Sequence, residues 1–427
     1  MKYTLIHCYS DYNKGDLGII LTTVDMLKEN DASADIEGVS TYNFSDPSYH
    51  TQHNILKKTI KVLPSIFGEL NIFKYKTPLA KSIRLIFDIC RLLVFLIFPI
   101  KFRKLRRVLF SKVEQATIDR IELSDYIISK GGSFLCNEKD LRSKFLLTRY
   151  LFIFFLSFKL RKKVIILCQS LGPVYGEISR IMLNYVLSKC FKIVLRESQC
   201  INQYRYLKIM DSKLLILNDI AFYLNTKNVN LIDLNIDKSR FNIGITIKHV
   251  DKNKAAEYRH MMIEAIKHCI DVYNTVIYIF PHVTIDDDID NSFEIFNSIN
   301  DKYKSRITIF NGNYTSAELK VLYSLMNIFI GTRLHSTIFA MGEMVPSICI
   351  SYHGTKALGI FSNYGLGEYV ILEYSSNLLI NKIDALIANQ NDIRNTLQKM
   401  HDLYKVKFES AFKDTFVLDN NRRDSGR

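Results

Sequence analysis

A short apolar run, Asn327-Ile328-Phe329-Ile330, leads into Gly331-Thr332-Arg333-Leu334-His335, then into a helix-forming stretch at 336–342 and a second apolar run at 346–350. A buried strand, a tight turn, a helix and another buried strand make one unit of a parallel α/β layer, and few other folds accept that order. Glycine at the strand end permits the sharp turn, and the polar residues after it fall in the first helical turn, where unpaired N–H groups favour an anion. Arg333 and His335 then sit at the mouth of a parallel sheet, where open α/β folds hold their ligands. Arginine offers a charged fork for carboxylate or phosphate, and histidine can carry a proton near neutral pH. The plainer reading has Arg333 capping a neighbouring carboxylate and His335 as a satisfied buried histidine.

The same alternation of short apolar runs and longer amphipathic stretches continues along the 427 residues. Strands are expected at 3–7, 126–129, 164–169, 193–195 and 214–217, and again at 241–247, 275–280, 307–310, 328–330, 347–350 and 370–372. Between the two sets, residues 223–240 are rich in Asn, Asp and Lys and lack a strong apolar face, which marks a linker. The expected organisation is α/β: a Rossmann-like domain at 1–225 with a helical basic and apolar insertion at about 55–120, a linker at 226–240, and a second Rossmann-like domain at 241–390. A C-terminal helix and polar tail fill 391–427, with 392–416 amphipathic and 419–427 frayed. The two domains are expected to face each other across a cleft.

Further motifs fall at expected strand ends. Asn13-Lys14-Gly15-Asp16 follows the first strand and opens a helix; Gly15 allows close approach of a ligand and Asp16 can accept sugar hydroxyls or orient a base, although the letters also suit a turn with a helix cap. The Gly-x-Gly-x-x-Gly spacing of a dinucleotide site is absent. Gly131-Gly132-Ser133 ends another strand, either wrapping a ligand or serving packing alone. Ser170-Leu171-Gly172-Pro173 lies at the same topological level. Arg196 is a second anion contact or an ion-pair partner of Glu197. His282 after Pro281 also points to a sheet edge, and Lys356 can reach a phosphate.

Taken in order, these segments resemble the polysaccharide pyruvyltransferase family. Gly331-Thr332-Arg333-Leu334-His335-Ser336-Thr337-Ile338-Phe339-Ala340, Val345-Pro346 and Ser351-Tyr352-His353-Gly354-Thr355-Lys356 match its C-terminal signature. Asn13-Lys14-Gly15-Asp16, Gly131-Gly132-Ser133-Phe134-Leu135, Gln169-Ser170-Leu171-Gly172-Pro173, Arg196-Glu197-Ser198, Asn218-Asp219-Ile220-Ala221-Phe222 and Pro281-His282-Val283 follow in the family's order. The resemblance spans roughly 1–370 and fits poorly between about 50 and 120. Ser133 stands where a third glycine is usual, and His353 where an acidic residue is common.

The resemblance implies a GT-B-like fold and transfer of a pyruvyl group from phosphoenolpyruvate to a sugar, commonly closing a ketal. His335, Arg333 and Asp16 are then the catalytic candidates. Arg333, Arg196, Lys356, His282 and Thr332 are expected on the donor, in the C-terminal domain apart from Arg196. Asn13, Gly15, Asp16, Gly131, Gly132, Ser133 and Ser170 are expected on the acceptor, a sugar or lipid-linked oligosaccharide. No metal or redox cofactor is required. Two competing readings are a GT-B glycosyltransferase using a nucleotide sugar and a catalytically silent, membrane-associated assembly protein of a glycan pathway.

Composition narrows the partners. The formal net charge is +14, yet Lys and Arg are dispersed and no nucleic-acid module is legible. The densest basic cluster, Lys101, Arg103, Lys104, Arg106 and Arg107, follows the apolar run 92–100, and a second apolar run at 150–156 precedes Lys159, Arg161, Lys162 and Lys163. Neither reaches the roughly 20 apolar residues of a membrane span, and Arg84, Asp88 and Arg91 interrupt the first. The first run suits either a helix lying in an anionic lipid surface or a core helix with solvated basic ends; the second reads as core. The cysteines, Cys8, Cys90, Cys136, Cys168, Cys190, Cys200, Cys269 and Cys349, are dispersed without any Cys-x-x-C pair, and no signal peptide is legible, so a cytoplasmic protein, placed at most at the inner membrane face, is expected. The acidic run Asp286-Asp287-Asp288-Ile289-Asp290 lacks EF-hand spacing and reads as a solvated helix start rather than a metal site.

Overall fold

The computed structural model describes residues 1–67, 77–97, 103–227, 229, 236–351 and 355–424. Among them, thirteen strands form two sheets that are parallel throughout. The first contains β1 (Lys2–Cys8), β2 (Asp35–Asn43), β3 (Lys61–Ser65), β4 (Tyr126–Ser129), β5 (Lys163–Gln169), β6 (Lys192–Leu195) and β7 (Leu214–Ile216), in the order β3-β2-β1-β4-β5-β6-β7. The second contains β8 (Asn242–Thr246), β9 (Val276–Ile279), β10 (Ile307–Ile309), β11 (Ile328–Gly331), β12 (Ser347–Ile350) and β13 (Val370–Ile371), in the order β10-β9-β8-β11-β12-β13. Both orders reverse direction once, between β1 and β4 and between β8 and β11, as in the doubly wound Rossmann arrangement. Central strands are covered on both faces, which explains runs such as Tyr126–Ser129, buried at every position.

The chain divides into two compact units, Met1–Asp11 with Ile19–Leu217, and Tyr12–Gly18 with Asn218–Arg427. The loop at 12–18, expected with the N-terminal domain, groups instead with the second unit. The Tyr12 carbonyl accepts from the Thr284 amide at 3.2 Å, Asn13 forms a β-bridge with Val283, and the Ser316 hydroxyl donates to the Lys14 carbonyl at 2.7 Å. Of the expected linker, 228 and 230–235 lie outside the described residues.

Strands β2 and β3 were not expected. The β2 sequence is polar and carries Gly38, but two of its hydrophilic side chains are buried with internal bonds: Ser40 to His53 at 2.7 Å, and Asn43 to the Ser65 carbonyl at 2.8 Å. Short β3 contains Pro64, which is tolerated because β3 is an edge strand of the described sheet. The final helix runs Gln390–Asp424, so the segment from 419 to 424, expected to be frayed, continues it, and 425–427 lie outside the described residues. Its Leu397 and Phe408 are fully buried. The apolar run at 150–156 belongs to the helix Leu141–Lys159 and fills the first core with Leu151, Phe154 and Leu156.

In the insertion, the helix Pro78–Ile97 is tied down by charge rather than by grease alone. Arg91 is buried, with Nη2 3.1 Å from Asp88 and donating to the Ile66 carbonyl, while Nη1 donates to both Glu114 oxygens at 3.0 and 3.1 Å. Glu114 also closes the capping box of the helix Lys112–Leu123 on Ser111. Removing the guanidinium would strand two carboxylates in a desolvated setting. Arg91→Met is therefore expected to lower unfolding free energy by about 3–5 kcal/mol, read as a shifted urea midpoint.

Candidate active site

The strand order of the second sheet reverses between β8 and β11, and the candidate residues collect beyond the C-terminal ends of those strands. Gly331 ends β11 because nothing larger fits: a Cβ there would lie 2.4 Å from Thr337 Cγ2 and 2.8 Å from Ser336 Oγ. The chain then turns through Thr332 into the helix Leu334–Gly342, with Arg333 as its N-cap residue. The Thr332 hydroxyl donates to the Thr246 carbonyl at 2.9 Å and meets the Tyr258 hydroxyl at 2.8 Å. Its bonds tie β11 to β8, a structural task.

Arg333 is held by carboxylates. Its Nε lies 3.2 Å from both oxygens of Asp288, Nη2 donates to Asp288 Oδ1 at 2.5 Å, and Nη1 donates to Asp286 Oδ2 at 3.0 Å. Asp288 is fully buried and also accepts from the amides of His282 and Val283 at 3.3 and 2.8 Å. Burial pushes its carboxyl above the usual range, against the pull of Arg333 and the two amides. The acidic run thus corrects the expectation of a solvated helix start: Asp288 is an internal anchor, and Asp286, whose side chain is half exposed, is the outer partner.

Two imidazoles stand near this pair. His282 is buried, with Nδ1 3.0 Å from the Tyr323 hydroxyl and Nε2 lacking a hydrogen-bond partner among the described residues. Burial first, then the charges of His335, Arg333 and Lys14, hold it well below the ordinary imidazole range, so it is neutral at physiological pH. His335 is partly exposed and places Nε2 3.7 Å from Oδ2 of the fully buried Asp219, an ion-pair distance longer than a hydrogen bond. Asp219 is oriented by the Ala221 amide at 2.9 Å.

Gly15 packs against this histidine. A Cβ on Gly15 would fall 2.3 Å from His335 Cγ and 2.4 Å from Nδ1, so the expected close approach to Gly15 is made by the imidazole. Asn13 and Asp16 bond each other reciprocally, side chain to side chain at 2.7 Å and the Asp16 amide to Asn13 at 3.2 Å, stiffening the turn that carries Gly15.

Two cations in this cluster were not anticipated. Lys14 lies inside the quoted motif, is almost wholly buried, and acts electrostatically on His282. Lys248, just past β8, is lowered to about 8, first by burial and then by the Arg333 charge, with Asp286 and Asp288 opposing. Its position after a central strand was the signal that could have found it. Lys248 also lines a cavity of about 780 Å³ beyond the ends of β8, β12 and β13, shared with Asp251, Lys254, Ser351, Tyr374 and Ser375. Lys356 opens the helix Thr355–Asn363 and is half-buried; Tyr352, His353 and Gly354 lie outside the described residues.

The remaining expected residues form a separate group in the first unit. The buried Arg196 donates from Nε to the Ser170 hydroxyl at 2.8 Å, and the Ser170 amide donates to the Gly132 carbonyl at 2.8 Å. A Cβ on Gly131 would meet the Leu167 and Cys168 carbonyls at 2.8 Å, so glycine there is required by packing against β5. Ser133 follows in the same turn, partly exposed.

Comparison with known proteins meets this geometry. The polysaccharide pyruvyl transferase family model matches residues 13–354, which include both the Gly15 turn and the Arg333-Leu334-His335 turn. The chain belongs to that family. Membership makes it a transferase acting in polysaccharide biosynthesis. It is 25% identical over 414 residues to the amylovoran biosynthesis protein AmsJ of Erwinia amylovora, covering 92% of this chain and 94% of that one. Among solved structures it resembles a putative UDP-N-acetylglucosamine 2-epimerase from Listeria monocytogenes, with a TM-score of 0.59, 12% identity and 97% of each chain covered. The UDP-GlcNAc 2-epimerase of Neisseria meningitidis bound to UDP-GlcNAc gives a TM-score of 0.57 at 11% identity, covering 97% of this chain and 100% of that one. Anabaena Alr3699/HepE in complex with UDP gives 0.55 at 12%, covering 99% and 100%. These likenesses establish the fold: two parallel-sheet α/β domains of the GT-B-like kind.

The Gly15 contact yields a test of site geometry. Gly15→Ala must displace the His335 ring, and a shift of that size costs on the order of 100-fold in rate when the group acts on a reacting centre. Steady-state turnover should fall by about that factor while the thermal midpoint moves little.

Proposed function

We propose that this chain transfers the pyruvyl group of phosphoenolpyruvate onto a sugar of an exopolysaccharide or its precursor and closes a cyclic ketal across two hydroxyls. Family membership carries the reading, and the gathering of Arg333, His335, Lys248 and Lys14 in one unit supports it. The relative named for amylovoran biosynthesis supports a secreted glycan as the destination.

The donor bears a carboxylate and a phosphate on one three-carbon enol. A proton delivered to its methylene carbon makes the central carbon electrophilic. A sugar hydroxyl adds there and loses its proton; phosphate departs with the C–O bonding pair; a neighbouring hydroxyl then adds to the same carbon and loses its own proton, which closes the ring. Donor and diol thus yield ketal and inorganic phosphate with no oxidant. We assign proton delivery to His335, which Asp219 backs and Gly15 fixes, and electrostatic stabilisation of the leaving phosphate to Arg333 and Lys248. Asp288 holds one edge of Arg333, and Nη1 donates to the half-exposed Asp286, an ion pair that an incoming anion can displace at little cost. His282, Thr332 and Lys356 complete the donor assignment within the second unit, where Asp16, as a base, is assigned to the acceptor with Asn13 and Gly15. In the first unit, Arg196 is assigned to the donor, and Gly131, Gly132, Ser133 and Ser170 to the acceptor.

A nucleotide sugar is the second reading, favoured by the cavity of about 780 Å³ beside Lys248, of a size for a nucleotide, and by the UDP complexes of proteins with this fold. Purified chain incubated with phosphoenolpyruvate or with a UDP-sugar, plus a glycan acceptor, separates the two. Phosphate release with a pyruvyl-sized mass gain on the acceptor is expected from the first donor only, and His335→Ala should reduce it at least about 1,000-fold. UDP release in its place would sink the proposal.

Lys248 adds a pH dependence with a definite sign. The ammonium is present below about 8 and lost above it, so donor affinity should weaken as pH rises through about 8. The unfolded lysine still holds its proton up to a higher pH, so the Lys248 contribution to stability rises rather than falls over that interval and opposes the binding effect in sign. Lys248→Met should weaken donor binding near neutral pH and remove that limb of the titration, measured by calorimetry across the range.

A further inference from the structure

We propose that the helix Pro78–Ile97, with the helix Arg103–Leu109 beside it, docks the first unit onto an anionic lipid surface. The argument is independent of the donor and of the acceptor.

The helix is amphipathic in the reverse of the usual sense. Leu79, Ile83, Ile86, Phe87, Leu93 and Ile97 are each half or more exposed, and their spacing of three and four residues places them on one stripe. The inward side carries Asp88, Arg91 and Phe95, all buried, with the Arg91 guanidinium stacked 5.1 Å from the Phe110 ring and paired to Glu114. Rotation to hide the stripe would tear that buried network apart, so the apolar face is locked outward. At 20 residues the helix is roughly 30 Å long, and a continuous apolar stripe of that length calls for an occupant.

Charge selects lipid among the candidates. No helix among the described residues is long and apolar enough to cross a membrane, so the stripe suits a helix lying on one. The next helix adds Val108, 82% exposed, next to the exposed Arg107 and one turn from the exposed Lys104. Arg106 is turned aside to Asp119 and Glu122, and the acidic residue of the long helix, Asp88, faces inward. Apolar side chains flanked by cations complement acyl chains beneath anionic headgroups, each cation contributing about 1 kcal/mol at such a surface. An enzyme held there meets lipid-linked glycan precursors in two dimensions.

Vesicle co-sedimentation tests this with the full chain. Wild type should pellet with phosphatidylcholine–phosphatidylglycerol vesicles, much less with phosphatidylcholine alone, and less as salt rises. Ile83→Ser/Ile86→Ser/Ile97→Ser and, separately, Lys104→Glu/Arg107→Glu should each weaken binding at least about tenfold. Thermal melts of both variants should match wild type, because the altered side chains point outward. Wild type remaining in solution, or variants pelleting as well as wild type, would overturn the proposal. So would a wild-type dimer by light scattering that the triple serine variant abolishes without any vesicle binding, which would assign the stripe to a second copy.

Discussion

A carboxylate with no access to water, Asp288, organises the second unit's site. It accepts from two consecutive amides after β9 and from the Nε–Nη2 edge of the Arg333 guanidinium after β11, so one buried anion sets the relation between two strand ends. A desolvated charge is tolerated only when nearly every lone pair is satisfied, and these donors satisfy it. The arginine is consequently fixed in place before any ligand arrives. Preorganised charge of this kind needs no reorganisation as a leaving group develops its own, which is the largest single electrostatic advantage a site can hold.

Most strands were legible because parallel sheets bury both faces and leave short uninterrupted apolar runs between polar turns. β4 and β12 match their expected bounds residue for residue. β2 was not legible, because Ser40 and Asn43 look like loop residues until the partners that hide them, His53 and the Ser65 carbonyl, are brought near by the fold. β3 hid behind Pro64, a residue that argues against a strand everywhere except at an edge. The end of the chain was misread for a similar reason: polar letters from 419 onward suggested fraying, while the helix continues to Asp424.

The site was legible as strand ends and not as partnerships. Arg333, His335, His282 and Gly15 could be named because each follows a strand. Asp288, 45 residues from Arg333, could not be told from its acidic neighbours, since only tertiary contact separates the buried carboxylate from the exposed one. Lys248 escaped because a lysine after a strand is commonplace until burial and a neighbouring guanidinium change its proton affinity. Gly131 shows the converse: a glycine that suggested ligand approach is demanded by the carbonyls of β5.

Because the turn at Tyr12–Gly18 is stitched to Thr284, Ser316 and His335, the covalent order of this protein and its compact units do not coincide. Chimeras that recombine two such enzymes at Leu217 would bring a foreign turn against each native histidine. Any attempt to transplant acceptor or donor preference between homologues must therefore graft that turn together with the C-terminal half, although it is encoded some two hundred codons upstream.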